Sequence, residues 1–162
     1  FFVSSANATI VVQQLDNTVI TDFDYDGGNF TQRLSLDPNE FQGSFNRIEL
    51  KIFSQDGGGS SHSLWIKEID LTNPDNYSLL FYTNWADFGA PNQWNTITYD
   101  VGNITTKSDK IYEFSIRGRY GYGLKVMGSA NQNIYLYGDA YSKFGKLGSV
   151  KDLYFKLEVV KE

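Results

Sequence analysis

The segment near the end of the chain, residues 152–159, alternates strictly between inward and outward side chains. Leu153, Phe155, Leu157 and Val159 fall on one face, and the residues between them fall on the other. Successive side chains of a β-strand point to opposite faces of the sheet, so a period of two is typical of a half-buried antiparallel strand. This pattern predicts that the chain belongs to the all-β class.

Segments of the same kind recur along the chain, and no sustained helical stripe accompanies them. The 15 glycines and the 16% of aromatic residues suit many short strands joined by tight turns. The predicted strands are residues 9–15, 19–25, 30–36, 47–53, 63–70, 77–83, 96–99, 111–117, 123–127, 133–137 and 152–159. About ten strands at this spacing predict a single domain over residues 1–162, a two-sheet antiparallel β-sandwich of jelly-roll-like form, with a β-barrel as the alternative.

Charge and composition exclude several kinds of partner. The net charge of −5 would repel the phosphates of nucleic acids and an anionic membrane surface. No stretch approaches the roughly 18 apolar residues that a membrane-spanning helix needs. The chain has no cysteine, so it can form neither disulfides nor thiolate metal sites. We therefore expect no nucleic-acid partner and no membrane span.

Several blocks of the sequence carry a family resemblance through their aromatic and glycine positions. The blocks are residues 30–33 with 43–50, residues 94–99 with 110–116, and residues 137–141 with 152–156. They resemble the β-sandwich modules of secreted and cell-surface proteins, of the carbohydrate-binding or adhesion accessory type. The resemblance covers roughly residues 30–160. It implies a fold and an extracellular or cell-surface location more than a function.

Aromatic side chains supply the first set of candidate binding residues. Trp65 falls on the polar face of its strand, between Leu64 and Ile66. Exposed aromatic rings stack on sugars and also anchor protein interfaces, whereas others of the set will belong to the core. The candidates are Trp65, Trp85, Trp94, Tyr120, Tyr122, Tyr135, Tyr137 and Tyr141.

The N-terminal strand supplies a second set. Residues 9–15 are β-prone and uncharged. Such a segment can pair within its own sheet, or residues 1–15 can be exchanged with a neighbouring subunit by strand addition. A head-to-tail exchange does not close on itself and so builds filaments. The candidate exchange residues are Ile10, Val11, Val12 and Leu15.

Three aspartates have the spacing of a calcium loop. Asp22, Asp24 and Asp26 alternate ahead of Gly27, and carboxylates so placed can wrap a hard cation. Arg33 stands where an EF-hand loop would carry its glutamate, and no flanking helices are predicted. The alternative is a strand with three aspartates on its wet face. Calcium is the one cofactor that the sequence suggests.

No catalytic residue is predicted. His62, the single histidine, follows a glycine-rich loop, and we expect it to be a solvent-exposed loop residue. No nucleophile elbow of the G-x-S-x-G type is present. Glu49, Glu68 and Glu113 alternate with apolar neighbours, and we expect them on a solvated outer face rather than in a glycosidase pair.

Glycosylation sequons provide a further set of candidate sites. Four asparagines carry the Asn-x-Ser/Thr pattern, which can accept a glycan where the source organism glycosylates. They are Asn7, Asn29, Asn76 and Asn103.

These observations favour a non-catalytic extracellular protein. The leading hypothesis is a structural or adhesive surface protein that self-assembles by β-strand addition, as the subunit of a filament, a surface layer or a virion. The alternative is a carbohydrate-binding module that holds a polysaccharide or another glycan on its tryptophans and tyrosines. A glycan-acting enzyme is a distant third.

Overall fold

The protein's structure is a computed structural model that describes thirteen segments of the chain. These are residues 9–14, 19–22, 29–34, 43–55, 61–84, 86–87, 90, 92–107, 109–118, 123–129, 140–142, 145–146 and 152–161. The described part consists of β-strands and their connections, and it contains no helix of the length and apolar character that a membrane crossing requires. The predicted all-β class is confirmed.

The strands group into two antiparallel sheets. In chain order they are β1 (Thr9–Gln14), β2 (Val19–Asp22), β3 (Asn29–Leu34), β4 (Gly43–Gln55), β5 (Ser61–Asp70), β6 (Tyr77–Tyr82), β7 (Ala86–Asp87), β8 (Trp94–Thr105), β9 (Lys110–Gly118), β10 (Gly123–Ser129), β11 (Ala140–Ser142), β12 (Gly145–Lys146), β13 (Asp152–Leu153) and β14 (Phe155–Lys161).

The first sheet is built around β4. This strand pairs with β8 along one edge and with β14 along the other, and β10 continues the β14 edge near the end of β4. β1 pairs with β14, while β2 and β13 pair with β10. The second sheet has the order β12-β11-β3-β9-β5-β6, and β7 pairs with β5 beyond the end of β6.

The core lies between the two sheets, where alternate side chains of both face each other. Phe45 of the first sheet contacts Tyr112 of the second edge to face, with ring centroids 5.6 Å apart. Phe155 stacks on Phe114 across the same interface at 6.4 Å. Full burial of a side chain of this size removes its apolar surface from water and stabilises the fold by about 1.5–3 kcal/mol. The two-sheet antiparallel β-sandwich is therefore confirmed.

The closing strand is divided, unlike the single strand predicted for residues 152–159. Tyr154 separates β13 from β14, because the two segments pair with different neighbours, β10 and β4. Within β14 the expected alternation holds, since Phe155 and Leu157 are buried and Lys156 and Glu158 are partly exposed. The strand predicted over residues 133–137 lies outside the described residues.

The N-terminal strand pairs within its own chain. β1 runs antiparallel to β14 from Thr9 opposite Val160 to Gln14 opposite Phe155. This register places the backbone of Ile10, Val11 and Val12 inside the first sheet, whereas Leu15 lies outside the described residues. The exchange of residues 1–15 with a neighbouring subunit stays a prediction.

Candidate functional site

The outer face of the second sheet carries two rows of side chains across β3, β9, β5 and β6. Antiparallel register aligns one residue of each strand in a row, and these residues point away from the core because they alternate with buried neighbours such as Leu64 and Phe114. The first row is Thr31, Ser115, Trp65 and Tyr82. The second row is Arg33, Glu113, Lys67 and Leu79.

These rows border a groove of about 500 Å³. Its size falls within the range of small-molecule binding sites, which combine apolar or aromatic walls with a few polar groups that fix orientation. The described lining side chains are the aromatic Trp65 and Tyr77, the apolar Leu79, the hydroxylic Thr31 and Ser115, and the charged Lys67, Glu113 and Arg117.

Trp65 is held in place by neighbours on three strands. Its indole Nε1 donates to Ser63 Oγ at 2.9 Å, and Ser63 Oγ in turn donates to the carbonyl of Thr83 at 2.6 Å. The guanidinium of Arg117 lies 4.2 Å from the ring centroid, and the ring of Tyr82 lies 6.0 Å away. A tryptophan fixed at both its edge and its face presents a preorganised aromatic surface.

Glu113 lies at the bottom of the groove and is almost fully buried. Its carboxylate accepts from Arg33 Nε at 2.8 Å and from Lys67 Nζ at 3.3 Å. Lys67 Nζ also lies 4.7 Å from the centroid of the Tyr77 ring. Charge-assisted bonds of this kind offset the cost of burying a carboxylate. The same ion pairs hold Lys67 between the acidic floor and the aromatic wall.

Hydroxyl groups and exposed rings complete the site. Thr31 Oγ1 and Ser115 Oγ share a hydrogen bond of 3.0 Å, and a hydroxyl has a further lone pair to offer a ligand. On β6, which lies at the edge of the sheet, Tyr77 and Tyr82 are 57% and 59% exposed. The site therefore offers aromatic surface, hydroxyl groups and paired charges side by side.

The two described tryptophans of the predicted set, Trp65 and Trp94, do not form one platform. Trp94, at the start of β8, packs edge to face on Phe53 at 5.5 Å and lies on the outer face of the first sheet. Trp65 lies on the outer face of the second sheet, so the two rings are on opposite sides of the sandwich. Trp85, Tyr120, Tyr122, Tyr135 and Tyr137 lie outside the described residues, as does the side chain of Tyr141 in β11.

Sequence reasoning missed Tyr77, Tyr82 and Arg117. Tyr77 has an odd number and Tyr82 an even number, so in a regular strand their side chains would lie on opposite faces of the sheet. A bulge removes this difference, because Ile66 pairs with Phe81 while Lys67 pairs with Leu79, leaving Leu80 as an extra residue. The alternation of Arg117 with buried Ile116 was the one available signal for its outward position.

The expectation for His62 is wrong. The residue lies within β5, 1% exposed, and its Nε2 forms a hydrogen bond of 2.7 Å with the hydroxyl of Tyr99. It shares the inner face with Leu64 because β5 begins at Ser61, directly after the glycine-rich loop. Since Tyr99 belongs to the first sheet, this bond joins the two sheets. Burial raises the pKa of Tyr99 above its ordinary value.

The solvated outer face expected for the glutamates is wrong for two of the three. Glu113 faces outward but is buried beneath its cationic partners, and Glu68 shares the inner face with Leu64. Glu68 accepts from Lys107 Nζ at 2.9 Å and from the Tyr112 hydroxyl at 3.4 Å. Burial, with the nearby Glu68 charge, raises the pKa of Tyr112, although the Lys107 backbone N–H opposes this shift. Glu49 alone is partly exposed on an outer face.

The outer face of the first sheet has a different character. Glu158 forms ion pairs with Arg47 and Lys156, each with an N···O distance of 3.7 Å, and 30% of its side chain is exposed. Lys51 lies 5.7 Å from the ring centroid of Tyr154, and burial together with Glu49 raises the pKa of Tyr154. The depression among these charged residues measures only about 90 Å³. This face provides matched charged residues away from the groove.

The remaining predicted sites are partly described. Within the segments that the structure covers, no three His, Asp or Glu side chains come together as a metal site. The side chain of Asp22 lies outside the described part, as do Asp24 and Asp26 entirely, so calcium stays a prediction. Asn76 and Asn103 are exposed, whereas Asn7 and the side chain of Asn29 are not described.

Comparison with known proteins gives distant similarities to solved structures. No family model matches the chain, and no curated protein does. Among solved structures, the chain is similar to a mitogen derived from Yersinia pseudotuberculosis, with a TM-score of 0.36, 9% identity, and coverage of 79% of this chain and 92% of the other. It is also similar to the carbohydrate-binding module TmCBM61 in complex with β-1,4-galactotriose, with a TM-score of 0.36, 12% identity, and coverage of 91% and 86%. Likeness at this level does not indicate what this chain binds.

Proposed function

We propose that the protein is a non-catalytic carbohydrate-binding domain that holds a glycan in the groove on the outer face of its second sheet. The observation that carries this proposal is the presence of aromatic surface and hydrogen-bonding groups in one groove. Trp65 and Tyr77 supply the rings, while Thr31, Ser115 and Lys67 supply polar groups beside them. The antiparallel register of β3, β9, β5 and β6 directs these side chains outward together.

The chemistry of a sugar ring matches these two kinds of group. A pyranose has a face of C–H groups, which packs on an aromatic ring, and a rim of hydroxyls, which form directional hydrogen bonds. The shared hydroxyl pair of Thr31 and Ser115 can both donate to and accept from such a rim. Glu113 can accept from a sugar hydroxyl through the lone pairs that its cationic partners leave available.

The rigidity of the site supports binding to a preorganised surface. The groove residues project from paired strands rather than from loops, and Trp65 is fixed through Ser63 and Arg117. A site whose side chains are already ordered loses less conformational entropy when the ligand binds.

A binding role rather than glycan cleavage is part of the proposal. A glycosidase usually employs two carboxyl groups about 5–10 Å apart. Among the described groove residues, Glu113 supplies a carboxylate, and it accepts from Arg33 and Lys67. We assign this carboxylate to positioning the cationic side chains and a sugar hydroxyl. We therefore expect the protein to retain a glycan without releasing cleavage products from it.

A glycan is also preferred here to a second copy of the chain as the partner. The assembly hypothesis depends on lending β1, and β1 forms six register pairs with β14 in its own chain. The groove lies on the other sheet and does not involve β1. An extracellular or cell-surface location is in keeping with a glycan partner.

The test is retention of the folded protein on a panel of neutral and acidic polysaccharides by affinity electrophoresis. We expect Trp65→Ala and Tyr77→Ala each to weaken binding at least about tenfold, equivalent to about 1.4 kcal/mol. Trp94→Ala is the matched control, because it removes an indole from the opposite face of the sandwich. Circular dichroism verifies that each variant is folded.

Two results would overturn the proposal. One is that no polysaccharide in the panel retains the parent protein. The other is that Trp94→Ala weakens retention as much as Trp65→Ala. If light scattering instead finds regular polymers of the parent chain, and these vanish when residues 9–14 are deleted, the assembly hypothesis replaces the proposed function.

A further inference from the structure

The groove concentrates positive charge on an acidic protein. The whole chain has a net charge of −5. Among the described side chains that line the groove, however, two are cationic, Lys67 and Arg117, and one is anionic, Glu113. Arg33 adds a third cation at the edge of the site, where it bonds to Glu113 at 2.8 Å. Among the described residues of the groove, the balance of charge therefore has the opposite sign to that of the molecule.

The cations stand at the two aromatic walls. The Arg117 guanidinium lies 4.2 Å from the Trp65 centroid, and the Lys67 ammonium lies 4.7 Å from the Tyr77 centroid. A ligand that packs beside either ring therefore meets a positive charge close by. A guanidinium carries five N–H donors in a planar fork and can bind a carboxylate or sulfate in addition to its other contacts.

The buried carboxylate of Glu113 is already compensated. Glu113 accepts from both Arg33 and Lys67, so its negative charge is shared between two neighbouring cations. An incoming anion at the aromatic walls consequently meets a screened carboxylate on the floor. A cleft with low-dielectric walls and an excess of positive charge attracts anions.

Resting on the proposed function, we propose that the groove selects acidic saccharides, whose sugar rings stack on the aromatic walls while their carboxylate or sulfate groups bind Arg117 and Lys67. The acidic group thereby sets the specificity of the site, and the aromatic rings supply stacking that neutral sugars share. Because the protein as a whole repels polyanions, this preference arises from the groove and not from the general charge of the chain.

Matched polymers separate the acidic group from the sugar. The probes are polygalacturonate and alginate, each compared with its own carboxyl-reduced form, and a sulfated galactan compared with its desulfated form. Titration calorimetry at low and high salt measures each affinity. We expect at least one acidic polymer to bind about tenfold tighter than its neutral counterpart, with an advantage that shrinks as salt rises.

Charge-removing variants locate the preference. Arg117→Met and Lys67→Met keep an unbranched side chain near the ring but remove the cation. Each is expected to reduce the ratio of acidic to neutral affinity by at least about threefold. Lys156→Met is the control, because it makes the same charge change on the outer face of the first sheet. It is expected to leave the ratio unchanged.

Each outcome bears on a different statement. If the neutral polymers bind as tightly as the acidic ones, the inference is overturned while the carbohydrate-binding function stands. If the acidic preference survives in Arg117→Met and in Lys67→Met, or falls equally in Lys156→Met, the assignment to the groove is overturned. If neither acidic nor neutral polymers bind, the proposed function itself has failed.

Discussion

At the scale of single residues, Glu113 is a nearly buried carboxylate that is stabilised by cationic side chains from two neighbouring strands. Its side chain is 7% exposed and accepts from Arg33 and Lys67. Glu113→Gln preserves the shape but leaves two cations facing a neutral amide in a nearly buried position. We expect the free energy of unfolding to fall by about 1–3 kcal/mol, as measured by urea denaturation.

The control for this prediction is Glu158→Gln on the outer face of the first sheet. Glu158 is 30% exposed and its cationic partners lie at 3.7 Å, so the same substitution should change stability by less than about 1 kcal/mol. An equal or larger loss for Glu158→Gln would contradict the importance assigned to the buried pair.

The sequence could not predict which distant residues surround such side chains in the fold. Alternation correctly placed Trp65 away from Leu64, but it could not tell that Glu113 would meet Arg33, which lies 80 positions earlier in the chain. His62 was misplaced for a related reason. A glycine-rich loop beside it suggested exposure, whereas its partner Tyr99 comes from the opposite sheet, 37 positions away.

At the scale of elements, the connection between β5 and β6 is organised by Asp70. Its carboxylate accepts from the hydroxyl of Thr72 at 2.8 Å and from the Thr72 backbone N–H at 2.9 Å, and Lys110 adds a third bond at 3.3 Å. These hydrogen bonds, led by that of the Thr72 hydroxyl, lower the pKa of Asp70 to about 2. The turn so formed leads directly into Tyr77 at the groove.

Removing the Thr72 hydroxyl should raise the pKa of Asp70. Because the pKa of Asp70 is lower in the folded protein, its stabilising effect is present above the ordinary carboxyl pKa of about 3.9 and is lost as the pH falls towards 2. We expect Thr72→Val to raise the pKa of Asp70 towards its ordinary value in an NMR titration. Thr72→Ser retains the hydroxyl and should retain the low pKa, so equal values in the two variants would refute this account.

Irregular pairing limited what could be predicted about the strands. Residues 47–53 were found from clean alternation, and the structure extends that strand to Gly43–Gln55. The second half of β8 was missed, because the sequence from Asp100 to Asn103 has the composition of a turn. In the structure Phe45 of β4 pairs with Ile104 of β8, whereas Arg47 pairs with Asp100, so the register shifts between these two pairs. Gly102 lies in the irregular part of β8 and adopts a φ of 73°, which glycine tolerates without strain.

At the scale of the whole molecule, the two outer faces of the sandwich divide its chemistry. The first sheet presents paired charges around a shallow depression, and the second presents the aromatic groove. The all-β class followed from the period-two pattern, and the sandwich followed from the number and spacing of the predicted strands. The position of the groove did not, since it depends on β3, β9, β5 and β6 becoming neighbours although they are spread along residues 29 to 118.

Two buried tyrosines at the interface between the sheets are expected to make the stability of the protein depend on alkaline pH. Burial raises the pKa of Tyr99 in the first sheet and of Tyr112 in the second. A tyrosine whose pKa is higher in the folded state holds its proton more tightly there. Its contribution to stability is therefore complete below the unfolded pKa of about 10 and declines as the pH rises above that value. We expect the free energy of unfolding to fall as the pH rises above about 10, as measured by urea denaturation.

Substitution by phenylalanine identifies the groups responsible for this decline. Tyr99→Phe removes the ionisation and the bond to His62, so the protein should be less stable near neutral pH but lose less stability on going to alkaline pH. Tyr82→Phe changes an exposed ring on the groove side and should leave the alkaline decline as it is in the parent. All other titrating groups are common to the three proteins, so a difference in slope reports the buried hydroxyl. An equally steep decline in Tyr99→Phe and in the parent would show that ionisation at the interface between the sheets does not limit alkaline stability.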